Sequence, residues 1–268
     1  MSSVPEDHDA LVDADEQPFL EHLLELRRRI LHGLLAVILL FFPVYFFANE
    51  LYSFVAAPLL ANLPGGSQMI ATEVASPFLT PFKLSLVAAV CLGMPFLLHQ
   101  AWAFVAPGLY LHEKRFAMPL LVSSILLFYF GMVFAYFLVF PLVFKFFASV
   151  TPEGVSMMTD INRYLDFVLK MFFAFGISFE IPVVCLLLTW SGATNAANLA
   201  KKRPYVIVGC FIVGMLLTPP DVISQLLLAV PCWLLFEVGV FFSRFAEKRE
   251  TDAEPAVEAG PGSDPGAD

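Results

Sequence analysis

Two carboxylates beside a run of arginines are the side chains in this sequence best placed to recognise a cation. Residues 19–29 read FLEHLLELRRR, and on a helix Glu21 and Glu25 lie on the face opposite the apolar side chains. Like charges at this four-residue spacing cost a few tenths of a kcal/mol of helix stability. An unbroken apolar run, residues 30–47, follows directly. The pattern predicts a short amphipathic helix that presents carboxylates at a membrane boundary, where a cationic partner could be held.

Glu113 is the second candidate for holding that cation. It precedes a predicted third membrane span, and the basic residues of the chain place it on the same side of the membrane as Glu25. The alternative is that each carboxylate only balances an adjacent basic residue, as Glu25 could balance Arg29 four residues later. Such a solvated local pair is worth a few tenths of a kcal/mol. From the residues alone, both interpretations stay open.

Glu180 is the third acidic residue of interest, because it lies inside the apolar stretch FFAFGISFEIPVVCLLL. An ionised carboxylate at the centre of a membrane helix costs about 2.5–3.5 kcal/mol. The side chain is therefore either kept neutral or hydrogen-bonded by a polar neighbour, or it faces a wet cavity or a partner helix. Lys170 and Gln225 are candidate partners, although Lys170 lies about 15 Å away along the same helix.

The composition excludes an ordinary soluble domain. Of the 268 residues, 59% are hydrophobic, only 15% are charged and 29 are Phe, and the mean hydropathy is +0.77. The net charge of −9 comes from the two ends of the chain, since 11 acidic and 13 basic residues remain when residues 1–16 and 247–268 are set aside. We expect an all-α integral membrane protein with disordered acidic tails at 1–18 and 247–268 and a membrane domain at 19–246.

Six spans are predicted, and the last two are expected to be short. Their approximate ranges are 30–47, 78–102, 116–140, 164–190, 204–218 and 222–240. Pro58 marks a turn in the long loop after the first span, while Ser76 and Pro77 read as the N-cap and first residue of the second. Eleven of the fifteen Lys and Arg residues fall on one side. The positive-inside rule then predicts that both termini are cytoplasmic.

The chain offers no recognisable enzyme chemistry, metal site or cofactor site. Residues 112–116 begin like the zinc motif HExxH, but Phe116 stands where the second histidine would be. The four cysteines lie in apolar runs without CxxC spacing, as small buried side chains do. The first 16 residues lack the positive region of a signal peptide, so the first span is expected to remain as an uncleaved anchor.

Several segments occur together in an order that closely resembles the TatC family, the multispanning receptor subunits of the twin-arginine protein translocase. They are HLLELRRR at 22–29, ATEVASPF at 71–78, WAFVAPGLYLHEKR at 102–115, AFGISFEIP at 174–182, KKRPYV at 201–206 and GMLLTPPDVISQ at 214–225. The resemblance covers about residues 17–246. It implies a cupped, tilted six-helix bundle that recognises the paired arginines of signal peptides on folded precursors, without catalysis.

The resemblance also implies roles for individual residues. Glu25 and Glu113 match the family's arginine-binding patch, and Arg27 and Phe104 match further signal-peptide contacts. Glu180 matches the family's membrane carboxylate, and Asp221 lies in the TPPD turn. Polar positions where single-span TatA-type and TatB-type partners are thought to dock correspond here to the following residues: Met215, Thr218 and Gln225.

The implied protein is a multi-pass subunit of the bacterial cytoplasmic membrane that works with these partners. We expect it to assemble with copies of itself, to use the protonmotive force and to bind no nucleic acid. The alternative is a proton-coupled secondary transporter of a small solute, suggested by Glu180, Lys170 and the proline-broken helices. Against it, the spans show no internal repeat, and a transporter would leave the carboxylates at 25 and 113 unexplained.

Overall fold

The computed structural model describes residues 8–62, 68–105, 114–152, 155, 157–218 and 221–253, with side chains from 22 to 247 except 105 and 114–117. Ten helices in these ranges, with one π-helical turn, make up the fold. They are α1 (His8–Tyr45), α2 (Ala48–Leu60), α3 (Ser76–Val105), α4 (Lys114–Phe134), the π turn (Ala135–Val139), α5 (Phe140–Val150), α6 (Ile161–Ser178), α7 (Ile181–Trp190), α8 (Ala196–Lys201), α9 (Arg203–Leu217) and α10 (Val222–Ala253).

The all-α membrane class is confirmed over this part of the chain. Five stretches are long and apolar enough to cross a membrane, and one shorter apolar helix, α9, has only 15 residues. The five stretches are His22–Tyr45, Ser76–Phe104, Met118–Val150, Ile161–Trp190 and Val222–Glu247. The fifth predicted span is thus short, as expected. The sixth is longer than expected, because its apolar stretch runs for 26 residues.

Both ends of the described chain are helical beyond the boundaries expected from composition. Helix α1 begins at His8, inside the predicted disordered tail, and α10 continues past residue 246 to Ala253. In α10, residues 244–253 contain strong helix formers and neither Gly nor Pro, and the first proline comes at Pro255.

The prolines of the third and fourth spans fall where the helix geometry changes, and neither proline ends its span. The third span does not end before Pro141 as expected, but reaches Val150 through a wider π turn that ends two residues before this proline. A π turn absorbs the missing N–H and the steric clash of a proline ring. The fourth span breaks at Phe179 and Glu180, and Pro182 lies in the first turn of the helix that resumes there.

Pro58 lies inside α2, so the prediction that it marks a turn is wrong. A proline in a helix leaves the carbonyl four residues earlier without its usual donor. Here that carbonyl belongs to Phe54, and the Tyr136 hydroxyl donates to it at 2.8 Å. The helix can therefore pass through the proline, and it ends two residues later at Leu60.

Pro95 in α3 is accommodated in the same way. The carbonyl that it leaves free is that of Cys91, and the Tyr129 hydroxyl of α4 donates to it at 3.0 Å. Within a lipid bilayer no water can satisfy such a carbonyl, so a donor from a neighbouring helix is needed. One side chain thus both compensates for a proline and ties α4 to α3.

Ser76 does not cap α3 with its side chain, which corrects a second prediction. Its hydroxyl is buried and has no hydrogen-bond partner among the described residues, whereas the carbonyl of Ala75 accepts the first helical bond from the Leu79 amide at 2.9 Å. Ala75 is therefore the capping residue by backbone geometry, and Ser76 and Pro77 form the first turn. Pro77 suits that position because first-turn amides lack helical acceptors.

Two loops are hydrogen-bonded to each other at the end of the bundle away from the basic residues. We call this the cap end, and it is defined by Ile70–Thr72 and Asp160. The Ile161 amide donates to the carbonyl of Ile70 at 2.9 Å. Asp160 accepts from the Thr72 hydroxyl at 2.6 Å and from the amides of Thr72, Asn162 and Arg163, each at 3.0 Å. These hydrogen bonds, of which the one from the Thr72 hydroxyl has the largest effect, lower the pKa of Asp160 to about 2.

We predict that removing the Tyr129 hydroxyl destabilises the bundle only while Pro95 is present. Tyr129→Phe leaves the Cys91 carbonyl without a donor, which should cost about 1 kcal/mol of unfolding free energy. In Pro95→Ala the new amide takes that carbonyl, so adding Tyr129→Phe should cost much less. Unfolding of the four variants in detergent measures the coupling. Equal costs of Tyr129→Phe in both backgrounds would contradict the assignment, and Tyr45→Phe is the matched control.

We predict that Asp160 makes the stability of the chain depend on pH between about 4 and 2. Its folded pKa is depressed below the ordinary value of about 3.9, so its contribution is complete above about pH 4 and is lost as the pH falls through the folded pKa. Asp160→Asn should remove this part of the pH dependence, and Thr72→Val should shift it to higher pH. Thermal unfolding against pH measures both, with Glu73→Gln as control. A pH profile unchanged in Asp160→Asn would refute the prediction.

Candidate functional site

The candidate site lies at the end of the bundle where the apolar stretch of α1 begins and that of α3 ends. Trp102 at the end of α3 packs with Leu120 at the start of α4 and with Trp190 at the end of α7. A second cluster joins α8 and the start of α9 to the last turns of the span in α10 through Leu199 and Val240. We call this the basic end, and it is defined by Arg27–Arg29, Gln100–Phe104, Lys201–Arg203 and Arg244.

Glu25 is engaged by its own helix. Arg29 donates to its Oε1 from both Nε, at 2.9 Å, and Nη2, and also donates from Nη1 to Gln100 on α3 at 3.4 Å. The interpretation of Glu25 as a partner of Arg29 is therefore correct in this structure. Among the described residues, no donor reaches the second carboxylate oxygen of Glu25. The pair is partly exposed, with 23% and 37% of the Arg29 and Glu25 side chains accessible.

Phe104 of α3 lies near this ion pair because it contacts α1. Its ring stacks on His22, with ring centroids 4.2 Å apart and an interplanar angle of 21°. His22 lies one helical turn before Glu25, so the stack joins the last turn of α3 to the carboxylate-bearing turn of α1. Two of the predicted recognition residues, Glu25 and Phe104, are thus held at the same place.

Arg27 and Glu113 are not placed against Glu25. Arg27 is exposed and follows Glu25 by two positions, which puts it about 200° around the helix. Glu113 lies outside the described residues, and α4 starts with the residue that follows it. Of the two carboxylates predicted to hold the cation, the structure therefore describes Glu25, whereas Glu113 remains a prediction.

Glu180 is paired across the bundle with a residue that the sequence did not suggest. The Ser124 hydroxyl of α4 donates to its Oε2, while Oε1 is buried and has no partner among the described residues. Neither of the expected partners fills this role, since Lys170 is exposed and the amide of Gln225 donates to the carbonyl of Phe211 at 2.9 Å. Ser124 was detectable only as a polar residue inside an apolar span.

The three residues matched to partner docking lie around the junction of α9 and α10. Thr218 ends α9 and donates its hydroxyl to the carbonyl of Gly214 at 2.9 Å. Gly214 is packed so closely on Gln225 that an added Cβ would lie 3.1 Å from the Gln225 Cγ. Met215 is 60% exposed. The junction thus presents a free apolar side chain beside an amide.

Asp221 completes this junction by starting α10. Its side chain accepts from the Ser224 amide at 2.6 Å, and its carbonyl accepts from the Gln225 amide at 3.2 Å. This is N-cap geometry, in which an Asp satisfies the first helical amides. The predicted turn role of Asp221 therefore has a concrete form, while Pro219 and Pro220 lie outside the described residues.

Two ion pairs between helices were not anticipated from the sequence. Arg203 at the start of α9 holds Glu237 of α10 through two bonds of 2.7 Å. Lys83 of α3 reaches Asp166 of α6 at 2.5 Å and Asn162 at 3.1 Å. The sequence signal for both was a charged residue within an apolar stretch, but the partner could not be read from it.

The four cysteines lie in apolar surroundings, as expected from the runs that contain them. Cys91, Cys185 and Cys232 are buried, Cys210 is half-buried, and all four are free thiols. Cys210 and Cys232 contact each other across α9 and α10, and Cys232 donates to the Ser178 hydroxyl at 3.0 Å. Within the described ranges, no group of three or more His, Cys, Asp or Glu side chains could hold a metal ion.

Comparison with known proteins gives a consistent result. The family described as Sec-independent protein translocase protein (TatC) matches residues 21–231. The chain is 62% identical over 250 residues to the TatC protein of Azotobacter chroococcum mcd 1, covering 93% of this chain and 97% of that protein. It is 59% identical over 231 residues to the TatC protein of Escherichia coli K12, with coverages of 86% and 90%.

A solved structure shares the fold as well. The crystal structure of a twin-arginine translocase receptor, TatC, superposes with a TM-score of 0.76 at 36% identity, covering 84% of this chain and 99% of that one. The similarity therefore extends from sequence to the arrangement of the helices.

Proposed function

The chain belongs to the TatC family of Sec-independent protein translocase proteins, and we propose that its basic end binds the paired arginines of twin-arginine signal peptides. Membership makes it a multi-pass membrane protein and a subunit of a protein translocase, not an enzyme. The alternative of a proton-coupled small-solute transporter is not supported, since the relatives reported above are translocase proteins. We place the protein in the bacterial cytoplasmic membrane with the basic end facing the cytoplasm.

The observation that carries the proposal is the state of Glu25. This carboxylate already holds a guanidinium, that of Arg29, and does so with only one of its two oxygens. The geometry of this carboxylate is thus one that accepts from a guanidinium, which supports the assignment of an arginine to it. A guanidinium offers a planar fork of donors that a carboxylate can accept bidentately, which the single ammonium of lysine cannot match.

An incoming arginine can occupy Glu25 either beside Arg29 or in its place. Exchange is energetically easy because a partly exposed pair at this spacing is worth well under 1 kcal/mol. The Phe104 ring, stacked on His22, gives an adjacent aromatic surface for the apolar stem of the arginine or for a neighbouring apolar residue. We assign the second arginine of the pair to Glu113.

Arg27 is assigned to a separate contact with the signal peptide. It lies on a different side of α1 from Glu25, and a guanidinium has only donors. It therefore suits backbone carbonyls or an acidic group of the precursor, and does not suit the arginine pair. This assignment explains how one helix could contribute both charges to recognition without the two cancelling.

We propose that single-span partners of the TatA and TatB type dock at the junction of α9 and α10. Met215 and Gln225 supply an exposed apolar side chain and an amide there, and Thr218 and Asp221 hold the junction in shape. Helix α9 measures roughly 22 Å along its axis, less than the hydrocarbon thickness of about 30 Å. A short helix thins the bilayer around it, which would ease passage of cargo at this place. We further propose that several copies of the chain assemble in one complex.

We predict that Glu25 and Glu113 are both needed to bind a twin-arginine signal peptide. Loss of one charge-assisted pair should weaken photo-crosslinking of a labelled peptide about tenfold or more, and the double Ala variant should abolish it. Arg29→Gln should instead raise crosslinking, because it frees Glu25. A Lys-Lys peptide should bind as poorly as the single variants. Glu50→Ala on α2 is the control. Unchanged crosslinking in the double variant would refute the site.

We predict that Met215→Ala and Gln225→Leu reduce co-purification of a single-span partner without unfolding the chain. The first removes exposed apolar area. The second removes the Gln225 amide oxygen and the N–H that remain available beside its bond to the Phe211 carbonyl. Leu39→Ala, on the exposed face of α1, is the matched control. Glu180→Ala belongs in the same series. If that variant keeps both partner and export, the carboxyl serves only the bond with Ser124.

A further inference from the structure

The outward face of α1 is uncovered along its whole membrane stretch. On the inward face, Gly33 packs so closely on α3 that an added Cβ would lie 2.8 Å from the Leu97 side chain, and Val37 is buried. On the opposite face, Leu31, Leu35 and Phe42 are 51%, 54% and 62% exposed. Because the chain is a membrane protein, the bilayer itself covers this stripe, and its occupants are acyl chains.

A basic cleft stands at the head of this apolar stripe. It has a volume of about 250 Å³ and is lined by Leu24, Arg27, Arg28, Leu31 and His32. Arg28 lies at its centre, one turn below Leu24 and one above Leu31, and therefore in line with the apolar stripe. The two leucines make the floor of the cleft apolar, while its rim is cationic.

The charge of this cleft is not balanced by the protein around it. The neighbouring Arg29 is neutralised by Glu25, whereas in the part of the chain that the structure describes, Arg27 and Arg28 form no ion pair. All three lining side chains with nitrogen, at positions 27, 28 and 32, are exposed. The guanidinium of Arg28 and the imidazole of His32, one helical turn apart beside an apolar stripe, match a phosphate that carries acyl chains.

The length of the stripe fits one lipid leaflet. From Arg28 to Ile38 the helix rises ten residues, about 15 Å, which is half of the roughly 30 Å hydrocarbon core. A phosphate on Arg28 thus lies at the headgroup level when an acyl chain follows Leu31 and Leu35 toward the bilayer centre. A free phosphate would use the arginines but leave the leucines uncovered.

We propose that this face of α1 is a binding site for an anionic phospholipid, with the phosphate on Arg28 and His32. A net negative headgroup is required, because a zwitterionic lipid brings a cation of its own into a cleft that is already positive. The bound lipid would fix the depth and tilt of α1 in the membrane, and so the height at which Glu25 meets cargo. The site adjoins the proposed arginine-binding carboxylate, since Glu25 lies one helical turn before Arg28 on the neighbouring surface of α1 and is itself engaged by Arg29.

The test is competitive lipid binding to the full-length chain. The purified protein is incubated in detergent with equal amounts of phosphatidylglycerol and phosphatidylcholine, and retained lipids are counted by native mass spectrometry. The wild-type chain should prefer phosphatidylglycerol, and Arg28→Gln should reduce that preference about fivefold. Arg244→Gln, a single exposed arginine on α10 at the same end, is the matched control and should change it little.

Several results would overturn the proposal. These are an unchanged preference in Arg28→Gln, an equal loss in Arg244→Gln, or displacement of phosphatidylglycerol by inorganic phosphate at moderate concentration. The last would mean a simple anion site without acyl recognition. Crosslinking of a twin-arginine peptide to Arg28→Gln should remain intact, which separates failure of this site from failure of the signal-peptide site. His32→Gln, which retains a donor, should lower the preference less than Arg28→Gln.

Discussion

The lack of water inside a bilayer is the constraint on which this structure most depends. A carbonyl, hydroxyl or charge within the hydrocarbon must find its partner inside the protein, or it costs several kcal/mol. Pro95 in α3 creates such a carbonyl, that of Cys91, and the Tyr129 hydroxyl of α4 satisfies it at 3.0 Å. Glu180 creates a larger demand, and Ser124 meets part of it. Each of these bonds joins two segments that are distant in the chain. The hydrogen bonds that satisfy buried polar groups therefore also hold the helices together.

The same constraint explains why the helices keep one register against each other. An apolar surface in lipid gains little from choosing one apolar neighbour over another, since the acyl chains are equally apolar. Directional bonds do distinguish between neighbours. The two bonds from Arg203 to Glu237 fix α9 against α10, and Lys83 with Asp166 fixes α3 against α6. Close glycine contacts such as Gly131 against the Phe175 carbonyl then allow the backbones of α4 and α6 to approach.

How much of this could be predicted follows from the range of each interaction. Helical class, span order and the short α9 depend on local apolar runs, and they were readable from the sequence. The pair of Glu25 with Arg29 is also local and was one of the two interpretations considered. The bond from Ser124 to Glu180 joins residues 56 positions apart, and no local pattern specifies it. The continuation past Pro141 escaped prediction because the π turn that permits it has no sequence signature.

In the function proposed above, recognition of paired arginines would benefit from the modest strength of the ion pair between Glu25 and Arg29. Were Glu25 buried with Arg29, breaking that pair would cost several kcal/mol, and cargo could not displace it. Were Glu25 unpaired, it would attract any cation, lysine included. A partly exposed internal arginine keeps the carboxylate shaped for a guanidinium while costing a competitor little to replace. Selectivity then comes from geometry and from the presence of a second arginine. One substitution in the cargo loses a whole charge-assisted pair, whereas the intramolecular competitor stays the same.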